Sequence, residues 1–180
     1  TISKIRGGQI DVLTSMDNQW SPQINLGVSV LIPETYVSDL DVRLGLYRRL
    51  SSLNKKVEFE GFAAELIDRF GKLPSEVNTL LLVVRIKSVC KKAGIGKLDG
   101  GPKGATVQFH NDKFISPEGL VEFIKNQNGT AKIKDNKLII RRDWKKNTDK
   151  FKGAFSIARD LAEIAASFEK NIQKKQKSNI

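Results

Sequence analysis

Glu65-Leu66-Ile67-Asp68-Arg69-Phe70-Gly71 is the stretch from which the rest of the chain can be read. With the residues just before it, it carries Phe59, Phe62, Ala63, Leu66, Ile67 and Phe70 at i, i+3, i+4, i+7, i+8 and i+11. That is one apolar face of an α-helix over about residues 57–70, because 3.6 residues per turn bring those positions into line. Gly61, Ala64, Glu65 and Asp68 form a second stripe on the outward side, and Gly71 reads as the glycine that stops the helix. Carboxylates near a helix C-terminus oppose its dipole, and like charges one turn apart repel. The helix would be slightly more stable without Glu65 and Asp68. Two readings stand: a solvated acidic face, the commoner fate of charged side chains, or an acidic patch that docks basic side chains of a partner. Arg69 lies off the stripe and is a weaker candidate contact, since it can also complement the helix C-terminus.

Outward from this helix the pattern is helices first, strands second. Ile24, Leu26, Val28 and Val30 alternate between Pro22 and Pro33, which predicts a strand. Asp39 caps a helix bearing Leu40, Leu44, Tyr47 and Leu50, with Arg43, Arg48 and Arg49 on its other faces. Pro74 opens a third helix as its first residue. Its apolar side chains, from Val77 to Cys90, run nearly all the way round and mark it as the central helix of the core. Gly94 ends it.

Short strands follow at Ile95–Asp99, Ala105–Phe109, Ala131–Ile133 and Leu138–Arg141. Gly100–Gly104 reads as a turn, and Asp135-Asn136 as a two-residue hairpin turn able to take positive φ. Ser116-Pro117 starts a helix, and a last helix runs from near Thr148 to about Phe168. The fold class is therefore α+β: a small, mostly antiparallel sheet of short strands covered by helices. Residues 1–33 read as a linker and the end of a preceding region, 34–169 as the domain, and 170–180 as a basic disordered tail. The first residues, Thr1-Ile2-Ser3-Lys4, lack a methionine, so a segment of a longer, multidomain chain is expected.

At 180 residues, 39% hydrophobic and 28% charged, the chain has an ordinary globular composition and enough length for one good core. No apolar run is long enough for a membrane span and no signal peptide is evident. The single Cys90 excludes a disulfide framework. It sits in an apolar helical run, as a buried inert thiol would, and fits a reducing compartment. The net charge of +11 suggests nucleic acid, but the excess is uneven. Residues 1–131 hold 17 Lys and Arg against 14 Asp and Glu, whereas residues 132–180 hold 14 against 6. A nucleic-acid-binding module using residues 132–177 is the alternative this distribution keeps open.

Catalysis needs convergent polar groups, and the sequence offers few. His110 is the lone histidine, at a strand end, and reads as an edge or turn residue, since acid–base sites need several convergent groups. No Cys/His cluster has zinc spacing, and Gly100-Gly101-Pro102-Lys103-Gly104 lacks the P-loop pattern. Arg141-Arg142 with Trp144-Lys145-Lys146 reads as a basic strand end, solvated or touching phosphate. No catalytic residue, cofactor or metal is expected.

Several motifs in series resemble one family. They are Leu44-Gly45-Leu46-Tyr47-Arg48-Arg49-Leu50, Glu65 to Gly71, Leu73-Pro74, Gly94-Ile95-Gly96-Lys97-Leu98-Asp99, and Lys103-Gly104. In order, they resemble the C-terminal domain of bacterial transcription-repair coupling factors. Trp20 to Gly27 and Val30 to Glu34 resemble the junction between that family's motor and this domain. The resemblance implies a cytoplasmic bacterial parent, an ATP-driven DNA translocase that acts on stalled RNA polymerase and recruits nucleotide-excision repair through UvrA. Its motor motifs would lie upstream. It also implies a non-enzymatic, autoinhibitory role for this domain: docking on the parent's N-terminal UvrB-like module and masking the UvrA-recruiting surface. Glu65 and Asp68 match the carboxylates that in the family contact arginines of that module. With that face unoccupied, weak self-association of the isolated segment is a further expectation.

Overall fold

Three helices carry the first half of the described residues. A computed structural model describes residues 20–180, so the linker expected over residues 1–19 lies outside the described residues. The described chain divides into two compact units, Ser29–Ser88 and Pro22–Val28 with Val89–Ile180.

In the first unit, α1 (Leu40–Ser51) starts where the Asp39 carboxylate accepts the Val42 N–H at 2.9 Å, satisfying one of the donors a helix start leaves open. Its buried side chains are Leu46, Tyr47 and Leu50. Leu40, expected in the core stripe, is exposed, because the cap places it at the helix mouth. α2 (Lys56–Phe70) begins with Glu58 accepting the backbone N–H groups of Asn54 and Lys55 at 2.7 and 2.9 Å. It ends at Gly71, whose φ of 92° suits a residue without Cβ. α3 (Ser75–Ala93) follows Pro74. Pro74 is the residue before the helix rather than its first residue, since its carbonyl accepts from Val77 and Asn78. Ile32, Val37, Tyr47, Leu50, Phe62, Leu66, Leu80 and Val84 belong to one continuous core. There the Tyr47 hydroxyl accepts the Ile32 N–H at 2.6 Å.

The second unit is a five-stranded sheet in the order β1-β2-β3-β5-β4. Its strands are β1 (Gln23–Asn25), β2 (Ile95–Gly101), β3 (Gly104–Phe109), β4 (Ala131–Lys134) and β5 (Lys137–Arg141). β1 pairs parallel with β2, and every other pairing is antiparallel. Two strands differ from expectation. The alternation between Pro22 and Pro33 gives a strand of only three residues. The Asn25 side chain accepts the Gly27 N–H at 3.2 Å and Gly27 takes φ of 67°, a local turn that leads the chain out of the sheet. Gly100 and Gly101 extend β2, so the turn shrinks to Pro102-Lys103.

Leu98, Ala105, Val107, Leu138 and Ile140 point to one face of the sheet and are buried. α4 (Pro117–Lys125) and α5 (Asn147–Ser178) pack on that side. α5 buries Phe151, Ala154, Ile157, Ala158, Leu161 and Ala165. It runs past Phe168 to Ser178, and residues 170–178, within the 170–180 expected as a disordered tail, are helical and exposed on every side.

Candidate docking site

Glu65 and Asp68 lie on the last two turns of α2, one turn apart, as the helical spacing requires. The apolar stripe behind them is narrower than the sequence suggested. Phe59, Phe62 and Leu66 are buried, but Ile67 is 51% exposed and stands on the surface between the two carboxylates in sequence. Leu66 already occupies the core position at that level, and its neighbour, 100° round the helix, cannot share it.

The two carboxylates differ in environment. Glu65 is held within the molecule. Arg49, on α1, grips it with both ends of its guanidinium, Nη1 to Oε2 at 2.5 Å and Nη2 to Oε1 at 3.1 Å. Arg69, one turn further along α2, reaches Oε2 at 3.5 Å. The Arg49 hydrogen bonds, and then the nearby positive charges, hold the Glu65 carboxyl below its usual range, and the same bond raises the Arg49 pKa. The Arg49 guanidinium also lies over the Phe62 ring, 5.2 Å from its centroid, a cation–π contact that holds it from below. Asp68 is exposed and makes no hydrogen bond or ion pair with a described residue.

The turn bearing Asp68 is tied down by Tyr36. Its hydroxyl lies 3.0 Å from the Leu66 carbonyl and 2.7 Å from the Gly71 carbonyl and shares its one proton between them, which ties the end of α2 to the residue that stops it. Its ring meets Phe70 edge-on at 5.7 Å. The site is thus a ridge of alternating charge, Arg49–Glu65–Arg69 with Asp68 beyond, on a helix end fixed from beneath. The sequence signalled Glu65, Asp68 and Arg69. It did not signal Arg49 as a partner of Glu65, 16 positions away, nor Tyr36, nor the exposure of Ile67.

The other singled-out residues fall elsewhere. Cys90 is fully buried, and burial pushes its thiol up to about 12, so it stays protonated and unreactive at neutral pH. His110 opens a short 3-10 turn after β3, its backbone N–H on the Gly94 carbonyl at 2.8 Å. The Arg141–Lys146 segment is not a uniform basic surface. Trp144 is buried, and Arg142 donates to Thr130 Oγ1 at 2.8 Å and to Gln127 Oε1. In the second unit a cleft of about 660 Å³ between α4 and α5 is bordered by Glu118, Glu122, Asp160 and Glu163. Among the described residues no group of three or more His, Cys, Asp or Glu side chains is arranged to hold a metal ion, and no helix is long and apolar enough to cross a membrane.

A three-helix unit presenting a charged ridge, followed by a small, mostly antiparallel sheet under two helices, defines an α+β fold. The chain belongs to the TRCF domain family, whose model matches residues 26–120. It is 45% identical over 126 residues to the transcription-repair-coupling factor of Rickettsia bellii, a match covering 69% of this chain and 11% of that protein. It is 31% identical over 126 residues to the Escherichia coli factor of the same name, covering 70% of this chain and 11% of that one. The chain therefore spans about a tenth of the length of the curated relatives it matches. A crystal structure of the C-terminal domain of a transcription-repair coupling factor shares its fold, with a TM-score of 0.68 at 23% identity, over 85% of this chain and 99% of that one.

Proposed function

We propose that this chain is the non-catalytic regulatory domain of a transcription-repair coupling factor, docking through the α2 ridge on arginines of the parent's N-terminal UvrB-like module. Docking masks the surface that recruits UvrA until the motor engages DNA and stalled RNA polymerase. The observation that carries this reading is Asp68, an exposed carboxylate with no side-chain partner among the described residues, on a helix end that Tyr36 holds in place. A fixed, unpaired carboxylate is a preorganised acceptor for a guanidinium fork.

The ridge also suits a latch that must open. Closely held charge pairs across an interface couple by roughly 1.5–7 kcal/mol, whereas rim pairs give far less. Asp68 can supply a pair of the first kind once a partner covers it. Glu65, already engaged by Arg49, adds less, because an incoming arginine must displace or share an existing bond. A bias of a few kcal/mol leaves the open form at about 0.1–10% of molecules. That is low enough to silence UvrA recruitment and high enough for an engaged motor to shift.

The test is calorimetric titration of the chain with the N-terminal module of the same parent. The native chain should bind, Asp68→Lys should lose most of the heat, and Glu65→Lys should lose less. All three should show the same circular dichroism. Equal binding by native chain and Asp68→Lys would remove the ridge from the interface.

A further inference from the structure

The face of the sheet opposite α4 and α5 carries a different chemistry. Side chains alternate across a strand, so the registers Lys132↔Ile139, Lys134↔Lys137, Thr106↔Ile139 and Lys97↔Gln108 place all these residues on the side away from Leu98, Val107 and Leu138. Arg141 continues the same row, opposite Gly104. Lys97, Lys132, Lys134, Lys137 and Arg141 are all exposed. The acids near them are Asp99, 3.7 Å from Lys97, and Asp135, in the turn at the hairpin tip. Lys132, Lys134, Lys137 and Arg141 thus have only Asp135 to offset them on their own hairpin.

Two features set this surface apart from ordinary solvated charge. Lys134 and Lys137 stand directly opposite each other across the hairpin, an arrangement that destabilises a sheet. Neutral donors of the types that contact phosphate, Thr106 and Gln108, occupy the neighbouring strand on the same face. Along one strand, side chains of this face recur every 6.6–6.8 Å, about two residues of rise. One strand of B-form DNA presents a phosphate about every 3.4 Å along its axis, so Lys132 and Lys134, the lysine pair two residues apart on one strand of this face, can each reach a separate phosphate. The face carries no aromatic side chain, so it lacks the stacking platform that binds single strands. Contacts from lysine to phosphate carry no sequence information.

We propose that this open face of the sheet, centred on the β4–β5 hairpin, binds the phosphate backbone of duplex DNA without regard to sequence. Lys132, Lys134 and Lys137 supply the principal phosphate contacts, while Arg141 and Lys97 flank them.

The test is fluorescence anisotropy of a short labelled DNA duplex with the whole 180-residue chain, in salt from about 50 to 200 mM. Binding should weaken as salt rises, with a dissociation constant of about 10⁻⁴–10⁻⁶ M at physiological salt. Joint Lys132→Gln, Lys134→Gln and Lys137→Gln substitution should flatten the log–log salt slope by about 2.7, roughly 0.9 for each phosphate no longer neutralised. Joint substitution of the same lysines by Arg should keep the slope. Three results would overturn the proposal. One is an unchanged slope in the Gln variant. Another is that binding disappears instead when Lys170, Lys174, Lys175 and Lys177 become Gln, which would move the interface to the end of α5. The third is polyglutamate bound as tightly as the duplex. Lysines on the edge strand β4 also discourage edge-to-edge pairing. If that were their only purpose, the Gln variant would self-associate in sedimentation and bind DNA like the native chain.

Discussion

Replacing Arg49 by Met separates what the internal fork does from what the ridge does for a partner. Methionine keeps an unbranched stem and removes the guanidinium, with both its fork to Glu65 and its contact over the Phe62 ring. The fork has good bidentate geometry, but its side chains are 50% and 37% exposed. That places it among surface ion pairs worth about 0.2–1 kcal/mol, not among buried pairs whose loss strands a charge. With about 0.5–1 kcal/mol for the lost contact over Phe62, the isolated chain should lose no more than about 2 kcal/mol in a urea melt. Docking should move the other way. Glu65 released from Arg49 is open to a partner's arginine, and the same 0.2–1 kcal/mol no longer opposes the exchange. In calorimetry against the N-terminal module, Arg49→Met should then bind about 1.4-fold to 5-fold more tightly than the native chain. Weaker binding of the folded variant would refute this reasoning. It would mean that Arg49 itself faces the partner and that Glu65 serves to aim it.

Three further outcomes can be checked on the chain alone. Tyr47→Phe leaves the buried Ile32 N–H without its acceptor and should cost about 1–3 kcal/mol in denaturant unfolding. Tyr36→Phe, whose freed carbonyls lie nearer water, should cost less. Gly153 lies against the Trp144 indole so closely that a Cβ would overlap the ring, and Gly153→Ala should cost about 1–3 kcal/mol by overpacking. The third concerns pH and has opposite signs at two sites. The Glu65 pKa is lowered, so the stability lost in Glu65→Gln should be constant above the ordinary glutamate value of about 4.3 and vanish as pH falls through the folded value. Burial lowers the Lys87 pKa. Lys87→Met should therefore raise the melting temperature at pH 7, by a margin that shrinks as pH climbs from the folded value to the ordinary lysine value of about 10.4.

Local chemistry was legible in the sequence wherever one residue type answers one backbone need. Asp39 at the start of α1, Ser116 before α4, Gly71 after α2 and the positive φ values of Asp135 and Asn136 follow from capping and turn rules applied within four residues. Helical spacing likewise placed Glu65 and Asp68 on one face. What it could not supply was the third dimension. The Arg49–Glu65 fork joins two helices and depends on how Phe62 and Leu50 pack, so no local pattern records it. Periodicity also overstated two elements in opposite directions. It lengthened the first strand, because alternation continues through Gly27 while the backbone does not. It shortened the last helix, because an apolar stripe ends at Phe168 while backbone hydrogen bonding continues. Ile67 shows the remaining gap: a stripe two residues wide in sequence buries only one of them when the facing surface is narrow.

The final turns of α5 have a practical corollary for these measurements. Residues 169–178 lie beyond the buried positions of the helix and depend on their own backbone bonds, which in water sustain short helices only marginally. They should melt gradually and separately as temperature rises. Far-ultraviolet ellipticity will therefore slope downward before the core gives way, and a two-state fit to it will misreport the enthalpy. The buried indole of Trp144, rooted in the second unit, senses none of this premelting. Its fluorescence is the signal from which the Gly153 variant should be read.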